Sequence, residues 1–136
     1  MGAETIRPAR AEDLGAVREL WAAARSDHAI TEDTPERVER ALDALLVAEL
    51  GGAVVGAVIA AFDGWRGNFY RLAVAPAVRR RGIGGRLVEA GEERLRALGA
   101  PRVSALVAFE DADARGFWEA VGYGADPDIG RMVKTI

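Results

Sequence analysis

The sequence predicts an α/β (α+β) chain built on one twisted, mixed but mostly antiparallel sheet of six to seven strands with about four helices. Three observations carry this prediction. Extended apolar runs at 46–50, 53–62 and 68–74 succeed one another through short glycine-bearing turns, the pattern of an antiparallel meander. The last of them leads through a glycine-rich turn and a helical pattern to a further apolar run, Val103 to Phe109, which should return parallel to 68–74 as a right-handed crossover. Segments with helical spacing lie before and after these strands, so neither an all-β nor an all-helical chain fits.

In chain order, Thr5-Ile6-Arg7 is a short strand stopped by Pro8, whose missing N–H disfavours central pairing. Leu14, Val17, Leu20, Trp21 and Ala24 recur at helical spacing, which predicts an amphipathic helix over 11–25. Residues 26–33 have no period and read as a loop. Thr34-Pro35 then supplies an N-cap and a proline at the first helical position, with Val38, Ala41, Leu42 and Leu45 spaced for a second helix. Gly51-Gly52 is a two-residue hairpin signal, Asp63-Gly64-Trp65-Arg66-Gly67 is a second turn, and Pro76 ends the third strand of the meander. The next helix should turn Ile83, Leu87, Val88, Leu95 and Leu98 inward and close at Gly99 and Pro101. Asp111 is the expected N-cap of a short helix with Ala114, Phe117, Trp118 and Val121 on its inner side, ended by Gly122. Tyr123 opens a last extended region, and Arg131 to Ile136 alternates like an edge or hairpin strand.

With 136 residues, half of them hydrophobic and 29% charged, residues 1–136 read as a single globular domain with a real core. No apolar run approaches the ~20 residues of a transmembrane helix, and no membrane partner is expected. The first residues have neither a basic nor a hydrophobic signal-peptide region, so the expected location is cytoplasmic. The absence of cysteine excludes disulfides, thiolate metal sites and a cysteine nucleophile, and no metal site is predicted. A net charge of −3 gives no global pull toward nucleic acid, and the arginine run at 79–81 is local.

That run belongs to Arg79-Arg80-Arg81-Gly82-Ile83-Gly84-Gly85, between a strand and a helix start. The N–H groups of a first helical turn lack intrahelical acceptors, the helix dipole adds positive character, and glycines let a ligand approach the backbone. Arginine forks on the rim can grip phosphate oxygens. A phosphate-bearing ligand is therefore predicted here. A P-loop is a poor match, since the only lysine is Lys134, and a dinucleotide fingerprint would need a small residue at Leu87.

The spacing Arg79-x-x-Gly82-x-Gly84 resembles the R/Q-x-x-G-x-G/A acyl-CoA signature of the GNAT (GCN5-related) N-acetyltransferases. Asp111-x-x-Ala114-x-x-Phe117-Trp118-x-x-x-Gly122-Tyr123 is similar to a second motif of that family, and the order of elements matches along nearly the whole chain. The resemblance implies the GNAT fold, with the fourth and fifth strands parallel and splayed. It implies acetyl-CoA as co-substrate and an amine as acceptor.

By the same resemblance, the main chain of residues 80–85 takes the pyrophosphate, with Arg79, Arg80 and Arg81 on the rim. Backbone groups of Leu72, Ala73 and Val74 meet the pantetheine arm, and Asp111, Ala114, Phe117 and Trp118 complete the cofactor side. Acetyl transfer needs a proton acceptor for the amine, a donor to the oxyanion and an acid for the thiolate. The Val74 N–H is the candidate oxyanion donor. The family's acid–base positions fall on Asn68, Leu106 and Trp118, none of which can do that work. Tyr70 is the nearest substitute, placed by period-two alternation on the same side as Asn68 and Leu72. Glu110 and Asp63 are candidate proton acceptors.

His28, Asp27, Glu32 and Asp33 lie in a loop that lines the acceptor site in relatives, and Asp126 and Asp128 in another. Together they predict a cationic amine acceptor. Homodimers are common in the family, with the last strand or Trp65 as an interface. The missing acid and base leave an alternative open at this point, an acyl-CoA-binding sensor or partner module with little turnover.

Overall fold

The computed structural model describes residues 3–24 and 32–136. Within these the chain forms two compact units, up to Leu106 and from Val107 onward. The first holds a five-stranded sheet in sequential order, made of β1 (Thr5–Pro8), β2 (Leu45–Leu50), β3 (Ala53–Phe62), β4 (Gly67–Val74) and β5 (Val103–Ala105). Its helices are α1 (Leu14–Ala23), α2 (Pro35–Arg40) and α3 (Ile83–Ala97). The second unit holds α4 (Ala112–Ala120). No helix among the described residues is long and apolar enough to cross a membrane.

The meander forms as expected. β2 and β3 are antiparallel and joined at Gly51 and Gly52, whose φ of 57° and 82° fit the turn that matches strand twist. β3 and β4 are antiparallel, and β4 and β5 are parallel, as the intervening helix requires. α2 starts as read, with Pro35 in its first turn and the Thr34 hydroxyl accepting the Arg37 N–H at 3.2 Å.

The two sheet faces have separate cores. Val17, Leu20 and Trp21 of α1 and Val38 of α2 pack with Leu45, Val47, Ala57 and Ala73. On the other face α3 turns in Ile83, Leu87, Val88, Gly91 and Leu95. At Gly91 a Cβ would lie 2.3 Å from the Phe69 ring and 3.3 Å from Ala60, so glycine sets how closely α3 approaches β3 and β4.

Several expectations need correction. Five strands form among the described residues instead of six to seven. Residues 131–136 are exposed and join no ladder, because an alternating pattern without a partner strand does not make a sheet. β5 stops at Ala105 and not at Phe109. Residues 11–13 are a 3₁₀ turn rather than the start of α1. α2 ends at Arg40, and Leu45 opens β2, where its side chain joins the same core that a longer helix would have reached. Leu98 is half exposed, since it lies past the last turn of α3.

Candidate active site

The turn into α3 has the backbone of an anion cradle. Arg80 (φ 67°) and Gly82 (φ 81°, ψ 9°) are both left-handed, and such alternation aims successive N–H groups into one concavity. No side chain caps α3, so the N–H groups of Ile83, Gly84 and Gly85 have no intrahelical acceptor. Gly84 and Gly85 put no side chain in front of them. Arg80 and Arg81 are exposed, whereas Arg79 turns back and donates from Nε to the Val74 carbonyl at 3.3 Å.

Arg86 braces this turn from below. Its guanidinium donates to the Arg81 carbonyl at 2.8 Å and pairs with Glu4 ahead of β1. One of its nitrogens lies 2.9 Å from where a Cβ on Gly82 would stand. Gly82 is thus favoured by its dihedral angles, while a Cβ there would have only to displace the flexible end of Arg86.

Beside the turn, the seam between β4 and β5 opens. Their rungs are Gly67–Val103, Asn68–Ser104 and Phe69–Ala105, after which β4 continues alone to Val74. The Ala75 N–H donates to the Val55 carbonyl at 2.8 Å. By the alternation of an antiparallel ladder, Ala73 therefore turns its main-chain groups toward Ala57 of β3, while Val74 turns its own toward the open seam. The bond from Arg79 to the Val74 carbonyl agrees with that direction.

β4 also carries a bulge. Ile59 faces Tyr70 and Ala57 faces Ala73, so β4 spends one residue more than β3 across this stretch. Arg71, with φ 57°, is the left-handed residue within it, a conformation that costs a side-chain-bearing residue about 1–2 kcal/mol. The bulge overturns the alternation expected for this strand. Tyr70 shares a face with Asn68 and Ala73, and not with Leu72, because Ile59 and Ala57 share that face. Tyr70 is 40% exposed there.

The acid–base candidates fall out unevenly. Asn68 accepts the Ser104 hydroxyl at 2.8 Å across the next-to-last rung of the seam, on the Tyr70 face. Asp63 is spoken for: its Oδ1 accepts the N–H groups of Trp65 and Arg66, both at 2.7 Å. Those backbone bonds, with Arg66 the larger influence, hold its carboxyl below the usual range and make it a weak base. Leu106 is exposed at the end of the first unit. His28 and Asp27 lie outside the described residues. Of the acids in the same loop, Asp33 is ion-paired with Arg71.

In the second unit Glu110 is exposed just ahead of α4. Asp111 caps that helix, accepting the Ala114 N–H at 3.0 Å, which explains an acid at this place in the motif. Ala114, Phe117, Trp118 and Val121 lie together on its half-buried side. Trp118 meets Phe117 and Tyr123 edge to face, with centroids 5.3 and 5.0 Å apart.

The glycine-rich turn, the open seam and the capped α4 are the parts that a family comparison should recognise, and the sequence model of the Acetyltransferase (GNAT) family matches residues 11–123. The chain belongs to the GNAT acetyltransferase family. It is 37% identical over 123 residues to the acetyltransferase ECA0875 of Pectobacterium atrosepticum, covering 87% of this chain and 86% of that one. Among solved structures it is 28% identical to a GNAT family acetyltransferase from Brucella melitensis in complex with acetyl-CoA, at a TM-score of 0.70 over 92% of this chain and 85% of the other. The fold is also that of the aminoglycoside N-acetyltransferase AAC(6')-Iy in complex with CoA, at 18% identity and a TM-score of 0.82, covering 100% and 98% of the two chains. One further solved neighbour is a longer chain, of which this sequence spans 28%.

Against the GNAT frame, sequence reasoning missed two arginines. Arg86 directly follows the glycine-rich turn in the sequence, but only its contacts to Arg81 and Glu4 reveal a brace. Arg71 carries no local signal, since nothing in the sequence marks a left-handed arginine inside a strand.

Proposed function

We propose that this chain is an acetyl-CoA-dependent N-acetyltransferase that moves the acetyl group to a primary amine by direct attack in a ternary complex. In this reading residues 1–136 act as one cytoplasmic domain. The observation that carries it is the pairing of a glycine-rich helix entry, uncapped and left-handed at Arg80 and Gly82, with a β4 edge left open beside it. The first suits a diphosphate and the second an extended amide-bearing arm, which are the two ends of coenzyme A's reach. The acetyl-CoA complex of the Brucella relative supports the same co-substrate.

The residues then divide the work. N–H groups along Arg80, Arg81, Gly82, Ile83, Gly84 and Gly85 hold the diphosphate, with the arginine side chains at its rim and Arg79 bridging back to β4. Val74 offers its N–H to the developing oxyanion, where one well-aimed donor is worth roughly 10²–10³ in rate. Leu72 lies along the same open edge as Val74, whereas Ala73, expected to meet the pantetheine arm, instead turns its main-chain groups to β3 and its side chain into the core. Tyr70, exposed on the face of Asn68, is the proposed acid for the departing thiolate, and Glu110 the proposed acceptor of the amine proton. Asp111, Ala114, Phe117 and Trp118 complete the cofactor side as their motif positions imply.

The acceptor class that we put first is a cationic amine, supported by the acids Glu32, Asp126 and Asp128 and by an aminoglycoside acetyltransferase among the fold's neighbours. Asp33 no longer counts toward it, since Arg71 neutralises its carboxylate. The test is thiol release from acetyl-CoA with a panel of polyamines, aminoglycosides, lysine peptides and amino acids. Turnover should appear first with the cationic members. A panel with no release above the amine-free rate would overturn the reading.

A further inference from the structure

Three contacts converge on the one left-handed residue of β4. The indole Nε1 of buried Trp21 donates to the Arg71 carbonyl at 2.6 Å. The Arg71 guanidinium lies over the Trp21 ring, 5.4 Å from its centroid, and is ion-paired with Asp33. Asp33 is itself held, because its carbonyl accepts from Arg18 Nε at 2.9 Å, and Thr34 beside it caps α2. Main chain and side chain of a single residue are thus tied to α1 and to the segment that leads into α2.

A left-handed arginine is the less favoured state of an ordinary strand residue, so something must over-determine it. Freed of these ties, Arg71 would relax toward extended dihedrals and the bulge would shift along β4. Each residue of slippage turns side chains to the opposite face and main-chain groups to the opposite edge. Tyr70 lies on one side of the bulge, and Ala73 and Val74 on the other. Their relation depends on the bulge staying where it is.

We propose that Arg71 is a positioning residue for acetyl transfer, clamped by Trp21 and Asp33 so that the Tyr70 side chain and the Val74 N–H are presented together at the open seam. The inference rests on the acetyltransferase reading above and adds a residue that touches neither substrate.

The experiment compares Arg71→Gly, Arg71→Lys, Asp33→Asn and Trp21→Phe with the unaltered protein, using the best amine of the panel. Melting temperature, kcat, and KM for acetyl-CoA are measured on each. Glycine permits the left-handed backbone without holding it, so Arg71→Gly should fold while kcat falls about tenfold or more, as small misplacements near reacting groups do. The KM for acetyl-CoA should stay within about twofold, since the diphosphate cradle is untouched. Asp33→Asn and Trp21→Phe should lower kcat in the same sense. Arg71→Lys should recover part of it, because an ammonium can still pair with Asp33.

If Arg71→Gly does not fold, the Asp33→Asn and Trp21→Phe results decide. The proposal is overturned if the variants keep kcat within about twofold of the parent, or lose activity only in proportion to the unfolded fraction. An unaltered protein that acetylates no amine overturns the assigned reaction, and this role with it. An active parent with indifferent variants overturns this role alone.

Discussion

Asp13 stays ionised in a buried position because three donors meet its carboxylate. Arg7 reaches it with two nitrogens at 2.8 and 3.0 Å, and the Arg10 N–H approaches to 2.7 Å. The hydrogen bonds from Arg7 are the main cause that holds its carboxyl below the usual range, against the opposing effect of burial. A folded-state pKa below the unfolded one means stability that is present in full above the unfolded value of about 3.9 and is lost as pH falls through the folded one. Asp13→Asn should therefore destabilise the chain by about 1–3 kcal/mol near neutral pH, where it leaves the half-buried Arg7 with Glu49 as its remaining acidic partner. Urea unfolding at pH 7 and pH 3 should show that gap narrowing in acid; a gap independent of pH would contradict the ion pair.

Among elements, α3 joins the sheet core to the glycine-rich turn, so its packing bears on both. Gly91 lets the helix settle onto Phe69 and Ala60, and an added methyl has no room unless the ring moves. Gly91→Ala should cost about 1–3 kcal/mol from overpacking, even though alanine is the better helix former. Denaturant midpoints check it, and an unchanged or raised midpoint would show that the ring gives way freely. The element scale is also where the sequence was most and least legible. Gly51-Gly52, Thr34-Pro35, Asp111 and the glycines at 82–85 announced turns and helix starts because those residue types act on their own backbone. The β4 bulge, the early end of β5 and the missing final strands could not be read this way. They depend on which partner lies alongside, and residues 131–136 show that alternation does not supply one. At the candidate site, the left-handed turn into α3 was legible from its glycines, whereas the partners of Arg86 and Arg71 lie 82 and 38 residues away in the chain.

At the scale of the whole molecule, one domain over 1–136 predicts that thermal unfolding followed by near-UV and far-UV dichroism gives a single coincident transition. Acetyl-CoA at about 100 times its dissociation constant should then raise stability by about 2.7 kcal/mol and move that transition upward as one. Separate transitions, with only the one that reports residues up to Leu106 responding to the ligand, would instead make the two compact units independent folding entities.

The pairing of Glu4 with Arg86 has a practical side. The same guanidinium steadies the carbonyl of Arg81 and crowds the space above Gly82, so the chain's opening residues and its anion cradle are mechanically joined. Trimming the protein to begin at Thr5, or grafting an affinity handle directly onto the strand, cuts that mooring. The damage would surface as a drifting cofactor affinity, far from where the scissors fell.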